Sequence, residues 1–434
     1  MYIQRKNKRK EKHNVGNFAA VIAVVGMCGS MLQGCDRQKT IAYFNGIEEA
    51  SINSAGTELE NEAINTDETE LEYIAERDDT EELDTSLQEQ PYTGPEVSII
   101  MVGDILLHTP VAESGVQEDG SYNFDALFYN VKDEISEADL AIVNQEVIIG
   151  GEGLGISGYP CFNAPYELGD ALVGAGFDVV LHATNHALDQ GKKGIKNCLA
   201  FWKKNHPDIA VLGINESQNE QDDIFVYEQE GIRIAVLNYT YGTNGVAMPS
   251  DMPYAVNLLD KDKVASDIEK AKEQADFIVV CPHWGTEYQL TPSSEQERWT
   301  DFFLENGVDL VIGTHPHVIE PVEWAGDNTL VYYSLGNFVN WTSSSGEGIA
   351  NRMVGGMAEI TVGIDDEGKA FIVDYDVEPL VCHLTEGTNG VTVYRLSDYT
   401  EELASENAII AQDAAFSLEY CENLCEEVWG EIRE

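Results

Sequence analysis

Two histidines lie two residues apart in the stretch VIGTHPHVIEP, residues 311–321, directly after a short apolar run. They are His315 and His317, and the whole chain contains only nine histidines. Because side chains two residues apart in an extended strand point to the same side, we expect both rings on one face. Two neutral imidazoles on one face can bind divalent transition metals. The stretch therefore indicates a candidate metal site.

Other side chains with metal-ligand chemistry stand at the ends of separate apolar runs. MVGD ends in Asp104, AIVNQEV carries Glu146, and FIVVCPHWGTEY carries His283. A charged glutamate in an apolar run needs a partner or a metal, because burying an unpaired carboxylate is costly. The remaining candidates in such positions are Asn185, His186 and Asp189 of VVLHATNHALDQG, and, as possible supporting residues, His108, Asn144, Glu287 and Asn337.

These candidates follow different predicted strands, so their convergence depends on the fold. In open α/β sheets the carboxyl ends of the strands form the crevice that binds ligands, and we expect the candidates to meet there. Taken alone, Asp104 could close a turn or cap a helix, and His108 could be a packed side chain. Two metals about 3.5–4 Å apart would activate water and polarise a phosphoryl or carbonyl oxygen.

The elements that must position these residues alternate along the chain. The segments VSIIMVGD, DVVLHATNH and IRIAVLNYTY each contain a short continuous apolar run, which is typical of a sheet covered on both faces. Amphipathic segments such as GIKNCLAFWKKN lie between them and predict helices, which gives an α/β layout. MAEITVGIDDEGKAFIVDYDVEPLVCHL predicts a hairpin around Asp-Asp-Glu-Gly. We expect two packed sheets with helices outside.

The first 35 residues have the organisation of a bacterial lipoprotein signal peptide. The basic segment RKNKRKEKH precedes an apolar segment that is short and interrupted by glycine. The following LQGC resembles a lipobox and makes Cys35 the candidate lipidated residue. An ordinary signal peptide and an uncleaved anchor are the alternatives. In each case the body of the protein would lie outside the membrane.

Two acidic segments flank the predicted domain, residues 96–385. Residues 36–95 are acidic, nearly without aromatic residues, and predict a disordered tether, because such a segment buries too little apolar surface to offset its ordering entropy. An acidic binding tail is the alternative. Residues 386–434 predict an acidic C-terminal helical extension, with a helix from about Ser397.

Charge and cysteine spacing narrow the class of protein further. The formal net charge of −52 argues against nucleic acid as a partner, because a polyanion would be repelled. The cysteines after Cys35 contain no CxxC pair and no zinc-ribbon spacing. We expect buried thiols, and one disulfide remains the alternative.

The order of the motifs resembles the CapA/PgsA family of poly-γ-glutamate capsule synthesis proteins. The resemblance covers roughly Val97 to His383 and rests on GDILLH, NQEV, FNAP, ATNHALDQG, HWGTEY, GTHPHV and YSLGNFV. That family is similar in fold to calcineurin-like metallophosphatases. The resemblance therefore implies a metallophosphatase-like β-sandwich flanked by helices, in four layers α/β/β/α.

The wider similarity to metallophosphatases also implies roles for the candidate ligands. Asp104 resembles their first carboxylate ligand, and Glu146 resembles the bridging carboxylate, which is usually aspartate. Asn185 resembles the asparagine of their Asn-His motif, His283 and His315 resemble ligands of the second metal, and His317 resembles a ligand of the first. This sequence lacks the usual histidine two residues after the first aspartate and has His108 four residues after it.

The resemblance implies a function at the cell envelope. His186, with Asp189, would be catalytic beside a dinuclear divalent centre of Mn, Fe or Zn, in a hydrolase acting on a phosphoester or an amide. The protein would be lipid-anchored on the extracytoplasmic face of the cell membrane and would act with membrane ligase and export subunits on the anionic polymer. A non-catalytic scaffold or polymer-binding subunit is one alternative, and a secreted metallophosphoesterase is another.

Overall fold

The computed structural model describes residues 92–385 and 390–430, together with the backbone of Tyr2–Ile3. The predicted signal peptide, Cys35 and residues 36–91 of the predicted tether lie outside the described side chains, so these assignments stay predictions. Tyr92 packs on the folded domain, where its hydroxyl donates a hydrogen bond of 2.7 Å to the carbonyl of Ile364. In the described residues, no helix combines the length and the apolar character needed to cross a membrane.

The described strands belong to two sheets. In chain order they are β1 (Tyr2–Ile3), β2 (Glu96–Ile105), β3 (Leu140–Asn144), β4 (Val179–Leu181), β5 (Ala210–Leu212), β6 (Phe225–Gln229), β7 (Ile232–Thr240), β8 (Phe277–His283), β9 (Leu310–Ile312), β10 (Val322–Ala325), β11 (Thr329–Tyr332), β12 (Asn337–Val339), β13 (Val354–Ile364), β14 (Ala370–Leu384) and β15 (Val391–Arg395). One sheet has the order β1-β6-β7-β8-β9-β11-β10, and the other has the order β15-β14-β13-β2-β3-β4-β5, with β12 beside β2.

The helices follow or separate these strands. They are α1 (Thr109–Ser114), α2 (Lys132–Glu137), α3 (Tyr166–Ala175), α4 (Gly191–Asn205), α5 (Gln218–Asp222), α6 (Lys261–Gln274), α7 (Ser294–Glu305), α8 (Glu401–Glu406) and α9 (Leu418–Trp429). Two of the longer helices, α6 and α7, begin at residues whose side chains cap the helix. Asp260 caps α6 through the amide of Lys263, and Ser293 forms a capping box with Gln296 at the start of α7.

The two sheets pack face to face, and helices cover both outer faces. Strand β2 shows the arrangement, because Ile99 and Met101 belong to the core between the sheets, whereas Ile100 and Val102 pack under the helices. Helices α6 and α7 contribute to a third core on the outer face of the other sheet, which includes Val264. The predicted fold class, a β-sandwich flanked by helices in four layers α/β/β/α, is confirmed. The predicted hairpin is also present, as β13 and β14.

The C-terminal segment differs from the single helix that the sequence predicts. Strand β15 pairs with β14, and the later residues form α8 and α9 with a short 3₁₀ helix, Ala408–Ala411, between them. Asn407 interrupts the helix, because its buried amide oxygen accepts a hydrogen bond from the amide of Ile409. Its amide nitrogen donates to the hydroxyl of Tyr399 at 3.1 Å. The domain boundary at residue 385 stays a prediction, although Val391, Val393 and later described residues belong to the same core.

A close backbone contact joins β2 to the segment before β12. The amide of Asp104 donates a hydrogen bond of 2.9 Å to the carbonyl of Gly336. A Cβ atom on Gly103 would lie 2.0 Å from that carbonyl oxygen, so only glycine fits there. This contact places Asp104 opposite Asn337 in the parallel pairing of β2 with β12.

The cysteines in the described residues are free thiols. They are Cys161, Cys198, Cys281, Cys382, Cys421 and Cys425, and all except Cys161 are buried. The expectation of buried thiols is confirmed for those five.

Candidate metal centre

The candidate ligands lie at one edge of the sandwich, where parallel strands of both sheets end. Strands β2, β3 and β4 run parallel in one sheet, and β7, β8 and β9 run parallel in the other. The two sheets meet here, since Nδ1 of His283 on β8 lies 3.9 Å from the carboxylate of Asp104 on β2. All the predicted ligands are buried in this one cluster, and they are Asp104, Glu146, Asn185, His283, His315 and His317.

Asp104 connects three of the segments that form the cluster. Its Oδ1 accepts a hydrogen bond of 2.7 Å from the side-chain amide of Asn144. Its Oδ2 accepts one of 3.1 Å from the backbone amide of His315 and lies 3.1 Å from Nδ1 of His317. The supporting role predicted for Asn144 is consistent with this contact, because the amide holds the carboxylate in one orientation.

Glu146 is the residue that most needs a cation. Its side chain is 0% exposed, and neither carboxylate oxygen has a hydrogen-bond partner among the described residues. The oxygens lie 3.7 Å from Nε2 of His283 and 3.7 Å from Nδ1 of His317. Burial raises the pKa of Glu146 well above its usual value, because a dry site disfavours the charged form. A divalent metal would satisfy both oxygens, and this carboxylate and imidazole donor set suits Mn, Fe or Zn.

Two overlapping groups of residues have the geometry to hold an ion. The ligand atoms of Glu146, His315 and His317 lie within 4.8 Å of one another, and so do those of Asp104, Glu146 and His283. Glu146 belongs to both groups, which is what a bridging carboxylate requires. Two groups that share one residue also fit two ions. Which histidine would bind which ion stays a prediction.

The pKa values of the three histidines His283, His315 and His317 are shifted in different directions. Burial and the neighbouring histidines lower the pKa of His283 and of His315 well below the usual value, so both are neutral imidazoles, the form that binds metals. Burial also acts to lower the pKa of His317, but Glu146 and Asp104 outweigh it and raise this pKa to about 9. The Nδ1 atom of His315 is buried and has no hydrogen-bond partner among the described residues, which leaves it available as a ligand.

His315 and His317 share one side for a different reason from the one that the sequence suggested. Strand β9 ends at Ile312, so the alternation of a strand does not extend to the two histidines. Both have left-handed backbone conformations, with φ of 102° at His315 and 60° at His317. The tip of their loop is fixed by a hydrogen bond of 2.7 Å from the amide of Tyr288 to the carbonyl of Pro316. The strand-based explanation is therefore wrong, although the two ring centroids lie only 5.7 Å apart.

The predicted catalytic pair lies beside Glu146. Nδ1 of His186 lies 2.7 Å from Oδ2 of Asp189, which also accepts a hydrogen bond of 2.7 Å from the amide of Phe162. Nε2 of His186 lies 4.0 Å from Glu146. Asn185, the preceding residue, places its Oδ1 3.1 Å from Nε2 of His283. This arrangement presents one imidazole nitrogen to the cluster while a carboxylate holds the other.

The other predicted supporting residues surround the cluster. Oδ1 of Asn337 lies 3.2 Å from Nδ1 of His317, which fits a role in orienting that ring. His108 and Glu287 line a cavity of about 330 Å³ in front of the cluster. Burial and the nearby His317 lower the pKa of His108 to about 4, so this side chain is neutral.

Sequence reasoning missed several residues of this site. Thr314 places its hydroxyl 3.0 Å from Nδ1 of His283, and Arg352 lines the cavity together with Tyr288. Leu106 also lines the cavity, and it occupies the position two residues after Asp104 where the sequence analysis noted that the usual histidine is lacking. The scarcity of basic residues, 25 Lys and Arg against 77 Asp and Glu, was the one sequence feature that could have drawn attention to Arg352.

Comparisons with known proteins identify relatives of this chain. The family described as "Bacterial capsule synthesis protein PGA_cap" matches residues 98–342. The chain is 36% identical over 170 residues to "PGA biosynthesis protein CapA" of Bacillus subtilis (strain 168), covering 38% of this chain and 44% of the relative. It is 29% identical over 265 residues to "Capsule biosynthesis protein CapA" of Bacillus anthracis, covering 57% and 61%. The matches thus span about half the length of these curated relatives.

Solved structures include similar chains at low sequence identity. A putative 5'-nucleotidase from Staphylococcus aureus is 14% identical with a TM-score of 0.42, covering 76% of this chain and 58% of that chain. The NAD nucleotidase NadN of Haemophilus influenzae is 13% identical with a TM-score of 0.40, covering 79% and 64%.

Proposed function

This chain belongs to the family of bacterial capsule synthesis proteins PGA_cap, and we propose that it is a metal-dependent hydrolase acting on capsule poly-γ-glutamate during its synthesis or export. The observation that carries the proposal is the carboxylate of Glu146, which is fully buried among histidines and whose oxygens have no hydrogen-bond partner in the described part of the chain. The names of the two relatives, which refer to PGA or capsule biosynthesis, support the choice of polymer.

The residues that would hold the metal are those of the buried cluster, Asp104, Glu146, Asn185, His283, His315 and His317. Bound divalent ions would supply an electrophile for the carbonyl oxygen and a nucleophilic water at neutral pH. The cluster itself contributes burial, which keeps bulk water away and strengthens electrostatic interactions at the site.

His186 and Asp189 would manage the proton. The Nδ1–H of His186 donates to Asp189, which fixes the ring and stabilises its protonated form. The Nε2–H of His186 then faces the cluster and can donate to a leaving group. In the proposed reaction, hydroxide, which is water that has lost one proton to solvent, adds to the γ-amide carbonyl carbon. The carbon–nitrogen bond breaks, and the departing amine takes the proton from Nε2. The acid proton of the new carboxyl group then returns to Nε2 of His186, so the products are a carboxylate and an amine.

The proposed place of action is the extracytoplasmic face of the cell membrane. A lipid on Cys35 would provide the anchor, and residues 36–95 would hold the domain away from the membrane surface. Membrane ligase and export subunits would be its partners. The net charge of −52 would repel an anionic polymer, so binding would depend on the metal and on local cationic groups, and nucleic acid would not be a partner.

Leu106 favours a second candidate function. An aliphatic side chain at this position removes one ligand that metallophosphatases usually have, which supports a non-catalytic subunit that binds the polymer or serves as an envelope scaffold. The alternative of a secreted metallophosphoesterase uses the same cluster on a phosphoester and is distinguished by its substrate.

The test compares the wild type with Glu146→Gln, which keeps the shape of the side chain and removes its charge. Elemental analysis and hydrolysis of poly-γ-glutamate are measured on both, with Glu297→Gln, an exposed change on α7, as the matched control. We expect the wild type and the control to bind Mn, Fe or Zn and to shorten the polymer, and Glu146→Gln to lose both properties.

Three results would contradict the proposal in different ways. No bound metal in the wild type would exclude the hydrolase. The scaffold function would be assigned by two results together: the purified wild type binds metal without cleaving the polymer, and cells that carry Glu146→Gln still form capsule. Cleavage of a nitrophenyl phosphate ester while the polymer remains intact would assign the phosphoesterase.

A further inference from the structure

Arg352 supplies a permanent positive charge in the cavity in front of the buried cluster of candidate metal ligands. It lies in a short 3₁₀ helix, Ala350–Met353, and among the described residues that line the cavity it is the one lysine or arginine. Its guanidinium carbon lies 3.6 Å from the ring centroid of Tyr288. This cation–π contact stabilises the charge without using the N–H donors.

One hydrogen-bond donor of the Arg352 side chain, Nε–H, is buried and unused within the described residues. No described carboxylate forms an ion pair with the guanidinium. Arg233 and Arg395, in contrast, each pair with an aspartate. A buried donor without a partner is costly, so the site favours an acceptor from outside the chain.

Asn340 provides a second unpartnered donor in the same cavity. Its side chain is 1% exposed and lines the cavity, and its Nδ2 has no hydrogen-bond partner among the described residues. The side chains of Thr342, Ser343 and Ser344 add hydroxyl groups to the lining. A guanidinium, an amide and hydroxyls together match the needs of an oxyanion, which accepts several hydrogen bonds and neutralises a positive charge.

This group of donors is attached to the loop that carries the candidate metal ligands. Nδ2 of Asn337 donates hydrogen bonds to the carbonyls of Arg352, at 3.0 Å, and of His317, at 3.1 Å. Tyr288, which supports the guanidinium, donates its amide to the carbonyl of Pro316 in the same loop. Both supports fix the position of Arg352 relative to the cluster, so an anion bound here has a defined distance from the reacting bond.

We propose that Arg352 and Asn340 bind a carboxylate of the substrate beside the bond to be hydrolysed. The proposal rests on the proposed function, because a γ-linked glutamate chain uses its side-chain carboxyl for the amide and leaves a free α-carboxylate on every residue. The site would select a chain with a carboxylate next to the amide and would exclude neutral peptides. It also gives a strongly acidic protein a local attraction for an anionic polymer.

The experiment measures binding of a γ-linked tri-glutamate peptide to the metal-loaded full chain by calorimetry. Arg352→Gln is compared with the wild type, and Arg298→Gln, an exposed arginine on α7, is the matched control for the loss of one positive charge. We expect Arg352→Gln to weaken binding about tenfold or more, since a charge-assisted contact is lost. Metal content and melting temperature should match the wild type, and Arg298→Gln should leave binding unchanged.

A second variant keeps the test decisive if Arg352→Gln fails to fold. Tyr288→Asn removes the ring beneath the guanidinium and retains a residue that tolerates the left-handed backbone at this position, where φ is 67°. It should weaken peptide binding a few-fold.

The results separate the carboxylate site from the proposed function. Equal affinities for the wild type and both variants would overturn the site, whatever the substrate. Binding of inorganic phosphate that depends on Arg352, with no binding of the peptide, would overturn the carboxylate assignment and the polymer substrate together. Peptide binding that depends on Arg352, without any cleavage, would support the site and overturn the hydrolase.

Discussion

The carboxylate of Asp189 lies 2.7 Å from Nδ1 of His186, and the opposite nitrogen of the same ring lies 4.0 Å from Glu146. One imidazole thus joins a supporting carboxylate to the centre of the buried cluster. Because Asp189 also accepts the amide of Phe162, the pair is held by the backbone as well as by side chains. This geometry suits a proton donor that must keep one orientation.

Replacing Asp189 by asparagine should reduce catalysis without removing metal. The amide cannot stabilise a protonated His186 as the carboxylate does, so we expect the rate of polymer hydrolysis to fall about 100-fold or more. Metal content, measured by elemental analysis, should equal that of the wild type.

A second histidine–aspartate pair provides the control for this change. Nε2 of His206 lies 2.6 Å from Asp170 at the surface, away from the cluster. Asp170→Asn should therefore leave the hydrolysis rate unaltered. If Asp189→Asn were as active as Asp170→Asn, His186 would not act through this carboxylate.

Metal removal should reverse the relative stability of the wild type and Glu146→Gln. Without a cation, the wild type must either bury the charge of Glu146 or bind a proton there, and both cost free energy. Glutamine avoids this cost but binds metal weakly. We expect Glu146→Gln to be more stable by about 1–3 kcal/mol with chelator present, and the wild type to be more stable with Mn²⁺ added.

The measurement is thermal unfolding followed by circular dichroism, with and without chelator. Glu297→Gln, the exposed control on α7, should follow the wild type in both conditions. The same order of stability with and without metal would show that Glu146 does not face a cation.

Glu320 should make stability depend on pH. Burial raises its pKa from about 4.5 to about 8, although a hydrogen bond from Gln296 acts in the opposite direction. Between these values the folded protein keeps a proton that the unfolded chain releases, so the free energy of unfolding falls as the pH rises from about 4.5 to about 8. In Glu320→Gln the side chain does not ionise, so this loss of stability with rising pH is absent. We expect this variant to gain on the order of 2 kcal/mol over the wild type at alkaline pH.

Denaturant titrations at pH 5 and at pH 9 would measure this effect. The two proteins should differ much less at pH 5, where Glu320 is largely protonated in the folded protein. Glu305→Gln, an exposed change at the end of α7, should show no such pH-dependent gain. An equal effect of Glu320→Gln at both pH values would mean that the carboxyl is not protonated by burial.

Gly103→Ala should destabilise the fold and disturb the position of Asp104. The added Cβ would lie 2.0 Å from the carbonyl oxygen of Gly336, so the backbones of β2 and the segment before β12 must separate. We expect a loss of about 2 kcal/mol or more in the free energy of unfolding, together with weaker metal binding. Gly153→Ala, where a Cβ meets no atom within 4 Å, is the control and should be nearly neutral.

The sequence predicted the elements that carry the cluster because their patterns are local. The buried strands contain continuous apolar runs, and the expected polar residues stand at or near their carboxyl ends, as Asp104 does in β2 and His283 at the end of β8. The strands β6 and β10 were not expected, since neither FVYEQ nor VEWA is a continuous apolar run. The prediction of a single C-terminal helix was wrong, because the side chain of Asn407 makes buried hydrogen bonds to Tyr399 and to Cys382 on β14.

The amino-acid sequence by itself determined which side chains are available as ligands and that they follow separate strands. The tertiary structure decided how they meet. The left-handed backbone at His315 and His317 depends on contacts with Asp104 and Tyr288, which lie far away in the chain. The closeness of Arg352 to the cluster likewise depends on Asn337, through hydrogen bonds that no local pattern encodes. Local periodicity specifies elements, whereas a site built from several elements is specified by their packing.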